Sequence, residues 1–357
     1  MPRSRLGAKI TVADAARTLS WADLTNRLLQ GEDLSTADAE AAMTAIMSGE
    51  ASPVQIAGFL VALRAKGETT TEVAGLVRTM RRFAVPVSVT APVVDTCGTG
   101  GDRSGTFNIS TVAAIVAAGA GARVAKHGNR AASGRCGSAD LLEAWGVAIS
   151  LPPDSVARCI DEVGIGFCFA QAYHPAMRHV MPARRELGVR TVFNFLGPLT
   201  NPAGAEHQTI GVSDAVMAEH MARVLAALDA RHALVFHGDD GLDELTITGS
   251  SRIWEVRDGA VDSYQFDPTT LGIPTADADA LVGGEVEMNL AMADAVLEGK
   301  PGPTRDVVVL GAAAALYAAD RVDGLEAGLH AAAESIDTGA ARRTLDRWVE
   351  LSQRLSP

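Results

Sequence analysis

The sequence predicts an α/β fold in which a small all-helical domain accompanies a larger domain with a mostly parallel central sheet. Three observations predict it. The first 90 residues carry helical patterns only, and from Val93 onward short β-like runs alternate with helical patterns. A segment at about residues 173–204 interrupts that alternation. We therefore expect a helical domain at residues 1–90, with the inserted segment packing on it, and an α/β domain at residues 91–357.

Four helices are predicted in the N-terminal block. Ser20 and Ser35 precede helical patterns with an acidic first turn, which is typical of N-cap residues. Pro53 opens a strongly apolar run that reaches Leu63, and residues 70–81 form the fourth helix. The block is apolar on more than one side, which indicates packing against another element or another subunit.

Short strands separated by helices are predicted in the second part of the chain. Helices are expected at Asp154–Val163 and Asp214–Leu228 and through most of the tail from Glu287. Glu244–Thr248 and Arg252–Val256 favour a hairpin at the edge of the sheet. The predicted sheet strands are Val93–Asp95, Arg123–Ala125, Val147–Ile149, Gly166–Phe169, Thr209–Val212 and Ala233–His237.

Composition excludes several classes of function. A net charge of −12 opposes binding to nucleic acid or to an anionic membrane, and an aromatic content of 4% supplies few surfaces for stacking bases. The four cysteines show none of the spacings of a zinc or redox site. The N-terminal residues lack the apolar core of a signal peptide. We expect a cytoplasmic protein that binds neither nucleic acid nor membrane.

The segment Asp95–Ser110 has the composition of a phosphate-binding loop. It follows a short apolar run and contains glycines, hydroxyls and the carboxylate of Asp102, and a helix-prone run begins at Thr111. Glycines let backbone N–H groups turn toward an anion, and the start of a helix adds a favourable dipole. The order strand, tight loop and helix start therefore predicts a phosphate site.

A second loop at Lys126–Asp140 repeats this order about thirty residues later. It adds three cations, Lys126, Arg130 and Arg135, and it again precedes an apolar helical pattern. Lysine and arginine are the side chains that bind phosphate best. In a parallel sheet both loops would lie at the carboxyl ends of strands, where ligands bind. Two such loops in an acidic protein favour one small, highly anionic ligand.

An acidic segment, Asp239–Glu244, follows the strand predicted at Ala233–His237. Alone it would be a polar turn, but beside two phosphate loops its adjacent carboxylates Asp243 and Glu244 offer the hard oxygen ligands that Mg²⁺ prefers. A bound polyphosphate ester also needs a divalent cation to offset its charge. The pattern predicts Mg²⁺ at this place.

Together these motifs resemble the anthranilate phosphoribosyltransferases over nearly the whole chain. Each motif is moderately specific, and their combination in this order is highly specific. The matching segments are Gly98–Asp102, Asn108–Thr111, Lys126–Arg130, Gly137–Asp140, Arg184 within Met181–Arg185, Leu196–Pro202 and Asp243–Glu244.

The resemblance implies a fold like that of the nucleoside phosphorylases and phosphoribosyltransferases. It implies transfer of the phosphoribosyl group from 5-phosphoribosyl 1-diphosphate (PRPP) to the amine of anthranilate, with release of pyrophosphate, a step of tryptophan biosynthesis. The reaction would need Mg²⁺ and would pass through an oxocarbenium-like transition state. It also implies a homodimer formed through the helical domain, which would explain the excess apolar surface there.

The resemblance also assigns roles to residues. Ser110, Asp243 and Glu244 would surround Mg²⁺, directly or through water. Gly98, Asn129 and Arg184 would position anthranilate, with Arg184 pairing its carboxylate, and Lys126, Asn129 and Arg184 are the expected catalytic residues. Cys136 stands where relatives often have serine or lysine. The residues expected to bind PRPP are Gly98, Gly101, Asp102, Thr106, Asn108, Ile109, Ser110, Thr111, Lys126, His127, Gly128, Asn129, Arg130, Ala131, Ala132, Ser133, Gly134 and Ser138.

Three other functions compete with this one. A pyrimidine nucleoside phosphorylase is disfavoured because a nucleoside and phosphate need no pair like Asp243 and Glu244 to hold Mg²⁺. A non-catalytic relative that binds nucleic acid is opposed by the acidic net charge. A phosphoribosyltransferase for a different amine acceptor stays open, because acceptor choice depends on packing in a small pocket.

Overall fold

The computed structural model describes residues 19–131 and 135–356. The predicted PRPP contacts Ala132, Ser133 and Gly134 lie outside the described residues, as do residues 1–18. All four predicted N-terminal helices are present, each preceded by a hydroxyl residue whose side chain accepts a hydrogen bond from the first turn. Their bounds are α1 Trp21–Leu29, α2 Thr36–Met47, α3 Pro53–Lys66 and α4 Thr70–Phe83.

A seven-stranded sheet forms the centre of the rest of the chain. Its order is β3-β2-β1-β4-β5-β6-β7, in which β1 to β5 are parallel and β6 and β7 are antiparallel. The predicted fold class is therefore confirmed. The strands are β1 Val94–Gly98, β2 Val124–Gly128, β3 Ile165–Phe169, β4 His207–Gly211, β5 His232–Gly238, β6 Ser251–Arg257 and β7 Ala260–Phe266.

Two predicted strands are wrong. Val147–Ile149 is buried but does not join the sheet, and the Ala148 N–H donates to the Ser352 hydroxyl at 3.0 Å instead of to a neighbouring strand. In Glu244–Thr248 side chains replace ladder hydrogen bonds, since the Thr246 N–H donates to the Ser251 hydroxyl at 3.1 Å and the Thr248 N–H donates to the Thr246 hydroxyl at 3.0 Å. The edge hairpin joins β6 to β7 instead.

Helices fill the connections between strands and both faces of the sheet. The inserted segment contains a 3-10 turn at Pro175–His179 and a short α-helix at Met181–Leu187, and a proline lies near the start of each. The α-helices after β1 are α5 Ile109–Gly119, α6 Ser138–Ala144, α7 Pro153–Val163, α8 Ala170–Tyr173, α9 Met181–Leu187, α10 Phe193–Leu196, α11 Ala215–Ala227, α12 Val286–Leu297, α13 Pro303–Ala318, α14 Leu325–Asp337 and α15 Ala340–Leu355.

Side chains on the two faces of the sheet enter different hydrophobic clusters. Along β5, Leu234 and Phe236 join the cluster under α5 and α13, whereas Val235 joins a second cluster. That second cluster also contains the cores of α1 to α4, the inserted segment and α11. The apolar surface of the N-terminal helices is thus partly covered by this chain's own sheet. No helix among residues 19–131 and 135–356 is long and apolar enough to cross a membrane.

Candidate active site

The first loop is a run of backbone conformations that glycine permits. After β1 ends at Gly98, φ is positive at Gly100 (67°), Gly101 (82°), Arg103 (62°) and Gly105 (67°). Across the described part of the chain, the N–H groups of Gly101, Asp102 and Arg103 have no hydrogen-bond partner. Successive free N–H groups in such a loop form an anion-binding concavity. The predicted phosphate loop therefore has the backbone shape that phosphate needs.

The start of α5 completes this loop and joins it to the second one. Asn108 occupies the N-cap position without capping the helix, and its side-chain Nδ2 donates to the Cys136 carbonyl oxygen at 3.0 Å. Ile109, Ser110 and Thr111 form the first turn, and the dipole at this end of the helix favours an anion. The bond from position 136 uses the backbone, so the thiol of Cys136 does not disturb it.

The end of β2 places the lysine of the second loop against the first. Lys126 is 1% exposed, and its Nζ donates to the Thr96 carbonyl oxygen at 2.6 Å, with the Ser110 Oγ 3.5 Å away. Burial lowers the pKa of Lys126. The next N–H, of His127, donates to the Asp95 carboxylate at 2.9 Å, and burial raises the pKa of Asp95 to about 6. These bonds tie the ends of β1 and β2 together.

The rest of the second loop folds around the carboxylate of Asp140. That carboxylate accepts from the N–H groups of Gly137 at 2.8 Å and Ala131 at 3.3 Å. It also pairs with the Arg130 guanidinium at 2.8 Å, and Glu143 contacts the same guanidinium. A Cβ at position 137 would overlap the Ala131 backbone, which accounts for glycine there. In this structure Arg130 is engaged by carboxylates, so its expected contact with PRPP stays a prediction.

The acidic pair reaches the same edge of the sheet. The Gly100 N–H donates to Asp243 Oδ2 at 2.6 Å, and a Cβ at Gly98 or Gly211 would overlap Asp243. Burial, together with neighbouring carboxylates, raises the pKa of Asp243 to about 7 and that of Glu244 to about 8. The two predicted loops and the predicted metal ligands therefore converge.

These residues fit Mg²⁺ when it is held together with a phosphate ligand. Within the described ranges no three His, Cys, Asp or Glu side chains are close enough to hold a metal by themselves. Two buried carboxylates near a single lysine nevertheless leave negative charge uncompensated, and a divalent cation supplies the balance. Phosphate oxygens and water would complete the coordination.

Comparison with known proteins identifies the family. Residues 22–84 match the model of the glycosyl transferase family, helical bundle domain, and residues 90–342 match that of the glycosyl transferase family, a/b domain. The anthranilate phosphoribosyltransferase of Symbiobacterium thermophilum is 55% identical over 93% of this chain and 98% of its own length. That of Thermobifida fusca is 53% identical over 94% and 97%.

Solved structures agree with the sequence relatives. The crystal structure of anthranilate phosphoribosyltransferase from Thermus thermophilus superposes with a TM-score of 0.88 at 47% identity, over 93% of this chain and 99% of that one. The Saccharomyces cerevisiae enzyme in complex with PRPP and Mg gives 0.85 at 27% identity, over 94% and 98%. The chain belongs to the anthranilate phosphoribosyltransferase family. The predicted enzyme class, pentosyl transfer, is confirmed.

Arg184 is the residue to which the family resemblance assigns the acceptor carboxylate. It lies on α9, with its guanidinium 5.6 Å from the centre of the Phe193 ring. Burial lowers the pKa of Arg184, and no carboxylate in the described part of the chain pairs with it. A partly desolvated guanidinium beside an aromatic ring is suited to an aromatic carboxylate.

Two buried histidines lie next to the second loop in this phosphoribosyltransferase. The rings of His127 and His174 are 5.1 Å apart, and the Nε2 atom of each is buried without a partner in the described residues. Burial lowers the pKa of His127 to about 3 and that of His174 to about 4. Both rings are therefore neutral near pH 7, and His127 can offer a hydrogen bond but no charge.

Sequence reasoning missed two arginines at the first loop. Arg103 adopts positive φ inside the loop, and the other described non-glycine residues with positive φ are all aspartates, which tolerate it better. Arg190 reaches Gly101 from the inserted segment. The glycine-rich composition of the loop indicated that residue 103 would have an unusual backbone conformation. Nothing in the sequence indicated the contact of Arg190 with Gly101.

The neutral state of His174 predicts acid sensitivity of the fold. Its folded pKa lies below its ordinary value of 6.5, so its contribution to stability is complete above pH 6.5 and is lost as pH falls toward 4. Between pH 7 and pH 5 the wild type should lose about 2 kcal/mol more unfolding free energy than His174→Gln does. Urea unfolding at both pH values measures this. The exposed His330→Gln variant serves as control, and identical pH dependence in wild type and His174→Gln would contradict the prediction.

Proposed function

We propose that this enzyme transfers the phosphoribosyl group of PRPP to the amine of anthranilate and releases pyrophosphate, in tryptophan biosynthesis. The observation that carries this assignment is the convergence of two amide-lined loops with the buried Asp243–Glu244 pair at the carboxyl ends of β1, β2 and β4. The Saccharomyces cerevisiae relative has been solved with PRPP and Mg and with 4-fluoroanthranilate, which supports the same substrates here.

The loops act on the leaving group. Breaking the bond between ribose C1 and the diphosphate oxygen places positive charge on the ring and negative charge on the departing pyrophosphate. Fixed groups of the protein would stabilise that negative charge. They are the free N–H groups of the first loop, the start of α5 and the ammonium group of Lys126. Asp243, Glu244 and Ser110 would hold Mg²⁺, which would supply further positive charge beside the leaving group. We propose that the residues expected from the sequence to contact PRPP bind it in this way.

The acceptor side needs little acid–base chemistry. The amine of anthranilate is already a competent nucleophile near neutral pH, so the protein contributes mainly by holding it near ribose C1. We assign the carboxylate of anthranilate to Arg184, with Gly98 and Asn129 beside it. Asn129 is held in turn, since its Oδ1 accepts from Gln171 Nε2 at 3.2 Å.

One assay tests the function directly. Protein is mixed with PRPP, Mg²⁺ and anthranilate, and the loss of anthranilate fluorescence is followed. Consumption of anthranilate is the expected result. Turnover with another amine alone would favour the rival phosphoribosyltransferase that the sequence leaves open.

Removing the guanidinium of Arg184 should weaken acceptor binding. A charge-assisted bond contributes about 1.5–3 kcal/mol, so Arg184→Ala should raise the KM for anthranilate roughly 10- to 100-fold. The KM for PRPP should change far less. The exposed neighbour in Arg185→Ala is the matched control. An unchanged KM for anthranilate would reject the assigned role of Arg184.

Neutralising the acidic pair should abolish the dependence on Mg²⁺. The double variant Asp243→Asn and Glu244→Gln keeps the shape of both side chains but removes their charge, so initial rates at saturating Mg²⁺ should fall at least about 100-fold. Asp239→Asn, an exposed acid in the same segment, controls for surface charge. Full Mg²⁺-dependent activity in the double variant would remove the metal assignment.

We also propose that the chain consists of a helical domain at residues 1–90 and an α/β domain at residues 91–357. The protein is cytoplasmic, and it forms a homodimer through the helical domain. An apolar surface on α3 supports it, because Val54 and Val61 lie two turns apart and are 81% and 45% exposed. Sedimentation equilibrium should give twice the chain mass of 37.1 kDa for the wild type.

The combined Val54→Asp and Val61→Asp change should give a monomer. Burying two unpaired carboxylates in the interface costs more free energy than the apolar contact contributes. Val216→Asp, at an equally exposed valine on α11, should remain dimeric. A monomeric wild type, or a dimeric double variant, would exclude this interface.

A further inference from the structure

Arg190 links the segment that carries Arg184 to the first phosphate loop. It follows α9, whose C-cap residue is Gly188, and its Nη2 donates to the Gly101 carbonyl oxygen at 2.6 Å, 89 residues away in the chain. The guanidinium fills the space beside Gly101 that a Cβ would need. The side chain is otherwise exposed, and this is its one hydrogen bond within residues 19–131 and 135–356.

That bond fixes the orientation of one peptide group. Because a trans peptide is planar, a Gly101 carbonyl turned toward Arg190 directs the N–H of Asp102 to the opposite side. The Asp102 N–H is one of the free donors of the loop. Gly101 has positive φ and no Cβ, so its ψ, which changes when this peptide rotates, is only weakly restricted by sterics.

Three other polar groups of this turn are held by hydrogen bonds within the α/β domain. The Gly100 N–H donates to Asp243, and the Gly100 carbonyl accepts from the Ser213 hydroxyl at 3.1 Å. The Asp102 carboxylate accepts from the Ser104 hydroxyl at 2.6 Å. The Gly101 carbonyl is held from the inserted segment, so the loop is complete only when that segment is in place.

We propose that Arg190 is a positioning residue that couples the two substrate sites. Arg190 lies six residues after Arg184 in the inserted segment. Its bond to Gly101 makes the orientation of the peptide that presents the Asp102 N–H to the diphosphate depend on the position of that segment. Occupation of the diphosphate site therefore strengthens binding of anthranilate, and the reverse holds equally because coupling is reciprocal. This inference rests on the proposed function.

Calorimetry without turnover tests the coupling. Pyrophosphate with Mg²⁺ occupies the diphosphate site but carries no ribose to transfer. In the wild type it should lower the Kd of anthranilate roughly fivefold or more, the size of ordinary coupling between two sites. In Arg190→Ala that ratio should approach one, while the Kd of anthranilate alone changes little.

Further variants distinguish loss of coupling from the general effect of removing a positive charge. Arg185→Ala removes an exposed cation from the same segment and should keep the wild-type ratio. Arg190→Lys retains charge and a donor and should restore part of it. A wild-type ratio in Arg190→Ala, or a ratio of one in the wild type, would overturn the inference. Failure of the proposed function is distinct, since it would appear as wild-type protein that does not consume anthranilate with PRPP.

Discussion

The contact of the Asp243 carboxylate with the first loop is the constraint on which the site depends. Asp243 lies against Gly98 and Gly211 and accepts the Gly100 N–H, so the segment after β5 crosses the ends of β1 and β4 at backbone distance. Any side chain at position 98 or 211 would force that segment away. Glycine at these places is thus required by the approach of a carboxylate, in addition to any contact with ligand.

The electrostatics of the site are those of a receptor for a metal and a polyanion bound together. Asp243, Glu244 and Asp95 all have raised pKa values because they are buried, and Lys126 is the buried cation beside them. Neither a phosphate nor a cluster of ionised carboxylates would be stable there without a metal cation.

The sequence predicted the sheet, its flanking helices and the convergence of both loops with Asp243 and Glu244, because strand, loop and helix-start patterns are local. It failed at Glu244–Thr248, where the threonines bond locally to the side chains of Asp240 and Ser251 and form no strand ladder. It also failed at Val147–Ile149, where the Ala148 N–H bonds to Ser352, 204 residues away. The contact of Arg190 with Gly101 was beyond reach for the same reason, since it joins elements 89 residues apart. The pairing of Arg130 with Asp140 and Glu143 likewise depends on where the loop folds back.

The second hydrophobic cluster has a consequence for how the chain folds. Val235 and Ile210 of the sheet share one apolar interior with α2, α4 and α11. Neither the N-terminal helices nor the sheet can bury that face alone, so melting of one removes the cover of the other. The two parts should therefore unfold in a single cooperative transition, and a fragment that begins at residue 91 would expose this face and aggregate.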